Sequence, residues 1–254
     1  MIARLSRPRV LIVLHQAHST PGRVGWLLAN FGFALDIRRP PLGDELPSTL
    51  AEHAGVVIFG GPMSANDETE FMKREIDWLE LPLRENKPYL GLCLGAQMLA
   101  RKLGARVFNH DNGRGEIGYY PIRPLPVADT LCAEPFPRSV YHWHRDGFEV
   151  PAGAELLAEG DGFFPAQAFR YGRAFGLQFH PEVTYAMICR WTTRAAERMS
   201  APGAQTAQAH REGWFQHDRA VGAWISAFLP EWAKADGVAA APPAGEPSRE
   251  LLIA

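Results

Sequence analysis

The sequence predicts an α/β fold, with a mainly parallel central sheet covered by helices on both faces and a C-terminal helical extension. Three observations lead to it. In the first half of the chain, apolar runs of strand length alternate with longer amphipathic stretches, the pattern of successive strand–helix units. After Gly104 the runs become short and are broken by Pro and Gly, as in antiparallel strands joined by turns. Near the C-terminus, Val221, Trp224, Ile225, Phe228, Leu229 and Trp232 recur at helical spacing as one apolar stripe.

Residues 10–14 read as the first strand. Arg4, Arg7 and Arg9 precede it and give a superficial likeness to a signal peptide. The apolar run is shorter than the ~7–15 residues of a signal-peptide core and ends at His15-Gln16, so a buried strand accounts for it better. Strands are also expected at 34–37, 56–59 and 89–92, and helices around 24–30, 71–84 and 94–103, the last ended by Gly104. Asn66, Asp67 and Glu68 read as capping and first-turn residues for the helix from Phe71. The runs 119–122, 139–143, 155–158, 167–171 and 174–179 read as antiparallel additions before the chain returns to the main sheet. Beyond Pro181 the chain is mostly helical in character. The apolar stripe is expected to pack on its own domain, the alternative being a partner or a homo-oligomer surface. From Ala235 onward Ala, Pro and Gly dominate without periodicity, which predicts a flexible tail. The expected organisation is one domain over 1–200, a helical extension over 201–235 and the tail over 236–254.

A chain of 254 residues, 46% hydrophobic and 21% charged, can bury a full core. Its net charge of −2 and scattered basic residues give no nucleic-acid or membrane surface, and no apolar stretch is long enough to span a bilayer. Cys93, Cys132 and Cys189 have no metal-type spacing and cannot all pair, so a reducing, cytoplasmic home is expected. Cys132 and Cys189 read as inert core residues.

The chemistry centres on Gly91-Leu92-Cys93-Leu94-Gly95-Ala96-Gln97, which sets a thiol between a short strand and a helix. On such an elbow the strained turn exposes the nucleophile, and the flanking glycines let neighbouring backbone come close. The amides of the helix N-terminus favour the thiolate, and the N–H of Leu94 is a candidate donor to an oxyanion. Among nine histidines, His180 stands out: a strand-like run delivers it directly before Pro181, with Glu182 one residue further. Pro181 disfavours helix at His180, and a carboxylate on one imidazole nitrogen leaves the other free to exchange a proton with sulfur. His142 and His144 would share one face of a strand and could bind a metal, but no third ligand lies at an obvious spacing. His15 and His18, beside the end of the first strand, are read either as pocket-lining or as solvated. Gly60-Gly61-Pro62 lacks the spacing of a phosphate loop, and a backbone oxyanion donor is its better use.

Gly-Leu-Cys-Leu-Gly-Ala-Gln at 91–97, Gly-Gly-Pro at 60–62 and Gln-Phe-His-Pro-Glu-Val-Thr at 178–184 together resemble the class I, triad-type glutamine amidotransferases, above all stand-alone proteins similar to the amidotransferase domain of GMP synthase. The resemblance runs from about residue 9 to 191 and more weakly to 232. It implies the flavodoxin-like fold of that family and a catalytic triad of Cys93, His180 and Glu182. It also implies an oxyanion hole from the backbone N–H groups of Gly61 and Leu94, and a place for Gln97 near the bound glutamine. The family segment Ser-His-Gly-Asp, whose backbone holds the amino-acid end of the substrate, matches Trp143-His144-Arg145-Asp146. Arg145 stands where glycine is usual, which leaves the local backbone geometry open. The implied activity is hydrolysis of L-glutamine to glutamate and ammonia as the glutaminase component of an amidotransferase. A hydrolase of γ-glutamyl amides or peptides and a non-catalytic binding or regulatory module are the alternatives. Neutral substrates of this kind call for no metal or cofactor. The sequence shows no nucleotide-binding loop to consume the ammonia, so either a separate synthase is the partner that takes it up or the protein is a hydrolase in its own right.

Overall fold

The computed structural model describes residues 7–234, so the expectations for Arg4 and for the tail at 236–254 fall outside the described residues. The chain runs β1 (Arg9–Val13), α1 (Gly22–Asn30), β2 (Ala34–Arg38), β3 (His53–Ile58), α2 (Glu70–Trp78), α3 (Glu80–Arg84), β4 (Tyr89–Leu92) and α4 (Leu94–Lys102). It continues through β5 (Val107–Phe108), β6 (Glu116–Pro121), β7 (Arg123–Pro124), β8 (Ser139–His144), β9 (Gly147–Phe148), β10 (Glu155–Glu159), β11 (Ala166–Tyr171) and β12 (Ala174–Leu177) to α5 (Tyr185–Arg194) and α6 (Ala207–Ala233). Eight strands form one sheet in the order β2-β1-β3-β4-β12-β11-β10-β7. The pairs from β2 to β12 are parallel, and those from β12 through β11 and β10 to β7 are antiparallel. β5 with β9, and β6 with β8, make two separate ribbons.

Period-two geometry explains the unbroken apolar run of β1. Val10, Ile12 and Leu14 enter one core cluster with α1 and α6 residues, while Leu11 and Val13 enter a second with residues of α2 and α4. The stripe on α6 is covered by the first of these clusters, where Trp224 stacks on Phe228 with ring centroids 5.0 Å apart and lies 4.6 Å from Phe136. Truncating this fully buried ring removes both transfer and packing free energy. Trp224→Ala is therefore expected to destabilise the fold by about 3–5 kcal/mol, read as a lowered urea midpoint. A loss below ~1 kcal/mol would mean that α6 is not part of the cooperative core.

The single helix expected over 71–84 is two helices. Pro82 has no N–H, and its ring would clash with the carbonyl of Trp78, so the chain tightens at Leu79, whose N–H bonds to the Ile76 carbonyl. Asn66, Asp67 and Glu68 do not cap α2, whose N-cap is Thr69. Asp67 instead closes a turn by accepting from the Ser64 N–H at 3.0 Å, Asn66 donates to the Val107 carbonyl, and Glu68 pairs with Lys73 and Arg101. Cys132 and Cys189 are half-buried rather than core residues. No helix of the described residues is long and apolar enough to cross a membrane.

Strand register creates the site. Ile58 pairs with Gly91, and Gly91 and Leu92 pair with Gly176 and Leu177, so β3, β4 and β12 release their chains at the same sheet edge. The loops that begin at Phe59, Cys93 and Gln178 therefore start side by side at the carboxyl ends of parallel strands, where ligands bind in open α/β sheets.

Candidate active site

Cys93 sits between β4 and α4 with φ +50° and ψ −103°, one of two non-glycine residues with positive φ among those described. Its N–H donates to the Leu177 carbonyl at 2.8 Å, and its own carbonyl accepts from Ala96 and Gln97 at 3.0 Å each, which locks the turn. A Cβ on Gly91 would lie 2.5 Å from the Gly95 backbone, and one on Gly95 would lie 2.3 Å from the Ile58 carbonyl oxygen. The elbow thus closes only with glycine on each side.

His180 lies three residues past the end of β12, its N–H bonded to the Tyr141 carbonyl at 2.9 Å. Its Nδ1 donates to Glu182 Oε1 at 2.7 Å, both side chains being buried, while Nε2 has no hydrogen-bond partner among the described residues. Burial pushes the imidazole pKa down. The Glu182 carboxylate and the charge on the neighbouring Cys93 sulfur outweigh that and raise it to about 10. The ring packs edge-on against Trp191 of α5 at 5.4 Å. A Cβ on Gly60 would meet His180 Cε1 at 2.8 Å and Cys93 Cβ at 3.5 Å, so the glycine loop after β3 runs directly beside the thiol and the imidazole.

The amides of Gly61 and Leu94 donate to no other group of the described residues. His15 lies buried beneath the Gly60-Gly61 loop, with Nδ1 3.2 Å from the Gly60 carbonyl and Nε2 3.0 Å from Glu75 Oε1. The Gly60 carbonyl and the Gly61 N–H belong to one trans peptide and point in opposite directions. Holding that carbonyl on His15 turns the Gly61 N–H away from His15, and both glycines line the cavity that contains Cys93. Of the two readings open for His15, neither holds: it is a buried buttress of the loop, whereas His18 lines the cavity.

Gln97, on the first turns of α4, donates to the Asp146 carbonyl at 2.8 Å and lines the cavity with Trp143, His144, Arg145 and Asp146. His144 Nδ1 donates to the same carbonyl at 3.0 Å, and Asp146 Oδ2 accepts from Ser64 Oγ at 2.5 Å. Arg145 has no positive φ, so its backbone does not need the freedom of the usual glycine, and its side chain is 63% exposed. Trp143 packs edge-on against Trp191 at 5.5 Å.

The third donor missing beside His142 and His144 comes from the strand ladder, in which Glu116 of β6 lies opposite His144. One ligand-type atom from each of Glu116, His142 and His144 lies within 4.8 Å of the others. Their own bonds account for the cluster, since Glu116 Oε2 sits 2.9 Å from both His144 Nε2 and Gln167 Nε2. Burial holds the His142 pKa down to about 3, against the Glu116 charge. Glu116 is lowered to about 2 because the charge and hydrogen bonds of the two imidazoles, with that of Gln167, outweigh its burial. Both groups therefore contribute stability above their ordinary values, about 6.5 and 4.5, and lose it as pH falls towards 3 and 2. The urea midpoint is expected to drop on acidification below pH ~6.5, and His142→Phe to make that drop shallower. An equal slope in the variant would show that His142 is not the group responsible.

Several residues of the site carried no local signal. His15, Glu75, Ser64, Glu116 and Gln167 come from distant segments. Gln178, directly after β12, reaches within 3.8 Å of the Cys93 sulfur and 3.5 Å of the Gln97 side chain. The cavity measures about 380 Å³ and holds Cys93, His180 and Glu182 in its wall.

Residues 28–187 match the family model for glutamine amidotransferase class-I. The chain is 30% identical over 192 residues to the glutamine amidotransferase-like protein YfeJ of Salmonella typhimurium, spanning 71% of this chain and 78% of YfeJ. It is 34% identical over 151 residues to the glutamine-hydrolyzing GMP synthase of Aeropyrum pernix, spanning 58% of this chain but 28% of that synthase. A glutamine amidotransferase from Thermotoga maritima superposes with a TM-score of 0.81 at 30% identity, covering 90% of this chain and 99% of that one. One from Methylobacillus flagellatus, at 24% identity, shares the fold with a TM-score of 0.83 over 95% of this chain. With more than half of its length in the family model and its sheet matched by these structures, this chain belongs to the class I glutamine amidotransferases.

Proposed function

We propose that this chain hydrolyses the side-chain amide of L-glutamine through a Cys93 glutamyl thioester, as the glutaminase component of an amidotransferase. The observation that carries the reading is the arrangement of Cys93 on a strained elbow beside an imidazole held by a buried carboxylate, at 2.7 Å, with the amides of Gly61, in the loop after β3, and of Leu94, at the start of α4, unengaged among the described residues. The Cys93 sulfur attacks the amide carbon, and the N–H groups of Gly61 and Leu94 receive the charge that develops on oxygen. The carbon–nitrogen bond breaks as the His180 imidazolium protonates the departing nitrogen. His180 then takes a proton from water, which attacks the thioester and returns the thiolate, while Glu182 steadies the imidazolium in both halves. Gln97, Trp143, His144, Arg145 and Asp146 are assigned to the amino-acid end of the substrate. The ammonia goes to a separate synthase, and the three unpaired cysteines support a cytoplasmic location.

The test is release of glutamate and ammonia from L-glutamine by the purified chain, together with labelling of Cys93 by a glutamine-like chloroketone. Turnover lost in Cys93→Ala supports the reading, and unchanged turnover in that variant would falsify it. The size of the cavity, about 380 Å³ and within the ~300–1,000 Å³ range of sites for larger ligands, supports a second reading as a hydrolase of γ-glutamyl amides. Cleavage of γ-glutamyl amines with glutamine inert decides for it. Failure of the chloroketone to label Cys93, with or without cell lysate, decides for a non-catalytic module.

A further inference from the structure

One part of the cavity wall is cationic. Arg190 and Arg194 of α5, and Arg198 on the 3₁₀ turn that follows it (Ala196–Ser200), recur at intervals of four residues and line the same cavity as Cys93. Arg145 joins them from the turn after β8. The side chains of Arg190, Arg194 and Arg198 make no salt bridge and no hydrogen bond to other described residues, although Arg190 and Arg198 are half-buried. Among the acids of the cavity, Glu182 holds His180 through Oε1, and Asp146 accepts from Ser64 at Oδ2 while its Oδ1 lies 3.8 Å from Arg145. Glu197 is the remaining acid of the lining and pairs with none of Arg190, Arg194 and Arg198, so these three guanidinium groups have no carboxylate partner among the described residues. An unpaired guanidinium in a cavity wall is free to take an anionic ligand, and its planar fork matches a carboxylate or a phosphoryl group.

The direction of this wall is set by Trp191. Its ring lies edge-on to His180 at 5.4 Å, and Arg190 and Arg194 flank it on α5. The departing amine must take its proton from His180, so whatever that amine carries extends along the side of the imidazole, towards α5. The amino-acid end of the substrate is assigned instead to the segment from Trp143 to Asp146.

We propose that the arginine wall of α5 binds an anionic group on the amine side of the scissile bond, so that the preferred substrate is a γ-glutamyl amide whose leaving amine bears a carboxylate or phosphoryl group. This rests on the second reading above, hydrolysis of γ-glutamyl amides by the same triad, and narrows its substrate class. Atoms balance as for any amide: the thioester forms as the carbon–nitrogen bond breaks, His180 gives the amine its proton, and water completes the release of glutamate. The products are glutamate and the anionic amine.

The experiment compares kcat/KM for γ-glutamylmethylamide, γ-glutamylglycine and the γ-glutamyl derivative of aminomethylphosphonate on the full chain, with L-glutamine as reference. At least one anionic amide is expected to exceed the neutral methylamide by 10-fold or more, and which one wins separates carboxylate from phosphoryl chemistry. That ratio is expected to fall towards one in Arg190→Gln/Arg194→Gln and to shrink as salt is raised. A ratio near one in the wild type, or one unaffected by the arginine changes, overturns the proposal. If the arginine changes weaken glutamine, the neutral amide and the anionic amides alike, the wall reads the substrate's own α-carboxylate and the proposal is likewise wrong. Calorimetric binding of the same three amides to Cys93→Ala keeps the outcome readable without turnover. Anion preference in binding with no cleavage by the wild type would sink the hydrolysis reading and leave the binding site standing. Cleavage of neutral amides without anion preference would do the reverse.

Discussion

Cys93→Ala is expected to lower glutamine or γ-glutamyl amide turnover by on the order of 10⁴-fold or more, because no neighbouring group can replace the sulfur as the atom that forms the thioester. The residual rate is what the oxyanion amides and substrate positioning supply alone. The same position carries a second, opposite effect on stability. With φ +50° and ψ −103°, Cys93 occupies backbone space that residues bearing a Cβ enter at a cost of ~1–3 kcal/mol, and alanine retains that cost. Cys93→Gly is expected to remove it, giving an inactive protein that is more stable than Cys93→Ala by roughly 1 kcal/mol in urea unfolding. Equal stability of the two variants would mean that the elbow is relaxed, and the exposure of the thiol would then need another cause.

His15→Ala is expected to damage both stability and turnover. Removing the imidazole strands Glu75, which is 1% exposed and whose other carboxylate oxygen already has no partner among the described residues, and breaking a buried pair in this way typically costs ~3–5 kcal/mol. It also frees the Gly60 carbonyl, so the Gly61 N–H is no longer directed by the opposite end of its own peptide. Two conservative variants separate these consequences. Asparagine can reproduce the Nδ1 donor to Gly60 but not the contact with Glu75, and glutamine the reverse. If His15 acts as a positioning residue, His15→Asn keeps kcat within about 10-fold of the wild type, while His15→Gln loses about 10²-fold, the typical scale for one oxyanion donor. KM is expected to move little in either. Equal losses of kcat in both variants at a temperature where both are folded would leave His15 with a structural role only.

These two residues also mark how far the sequence could be read. Cys93 was visible because its chemistry is local: a short strand, a helix start and two glycines within seven residues define an elbow whatever the rest of the chain does. His180 and Glu182 were visible for the same reason, since Pro181 sets the turn and is the one residue between base and carboxylate. His15 showed nothing comparable. Its partners are 45 and 60 positions away, and the parallel pairing of β1 with β3 is what lays it under the glycine loop. Glu116 had no motif either, because it meets His144 through an antiparallel ladder whose register no spacing in the sequence reveals. The break in the helix over 71–84 was legible in principle, through Pro82, but the apolar period around it continues across the break and hides it.

By itself the sequence determined what depends on neighbours along the chain: the alternation that builds a parallel sheet, the elbow that strains one cysteine, and the turn that pairs one imidazole with a carboxylate. Only the tertiary structure decided which of those local devices meet. The registers Ile58 with Gly91 and Leu92 with Leu177 bring three loops to one edge, and α5, whose Trp191 lies beside His180, carries unpartnered arginines into the wall of the same cavity. The physical reason is that backbone strain and turn chemistry act over a few residues, whereas a pocket is made where strands far apart in sequence end together.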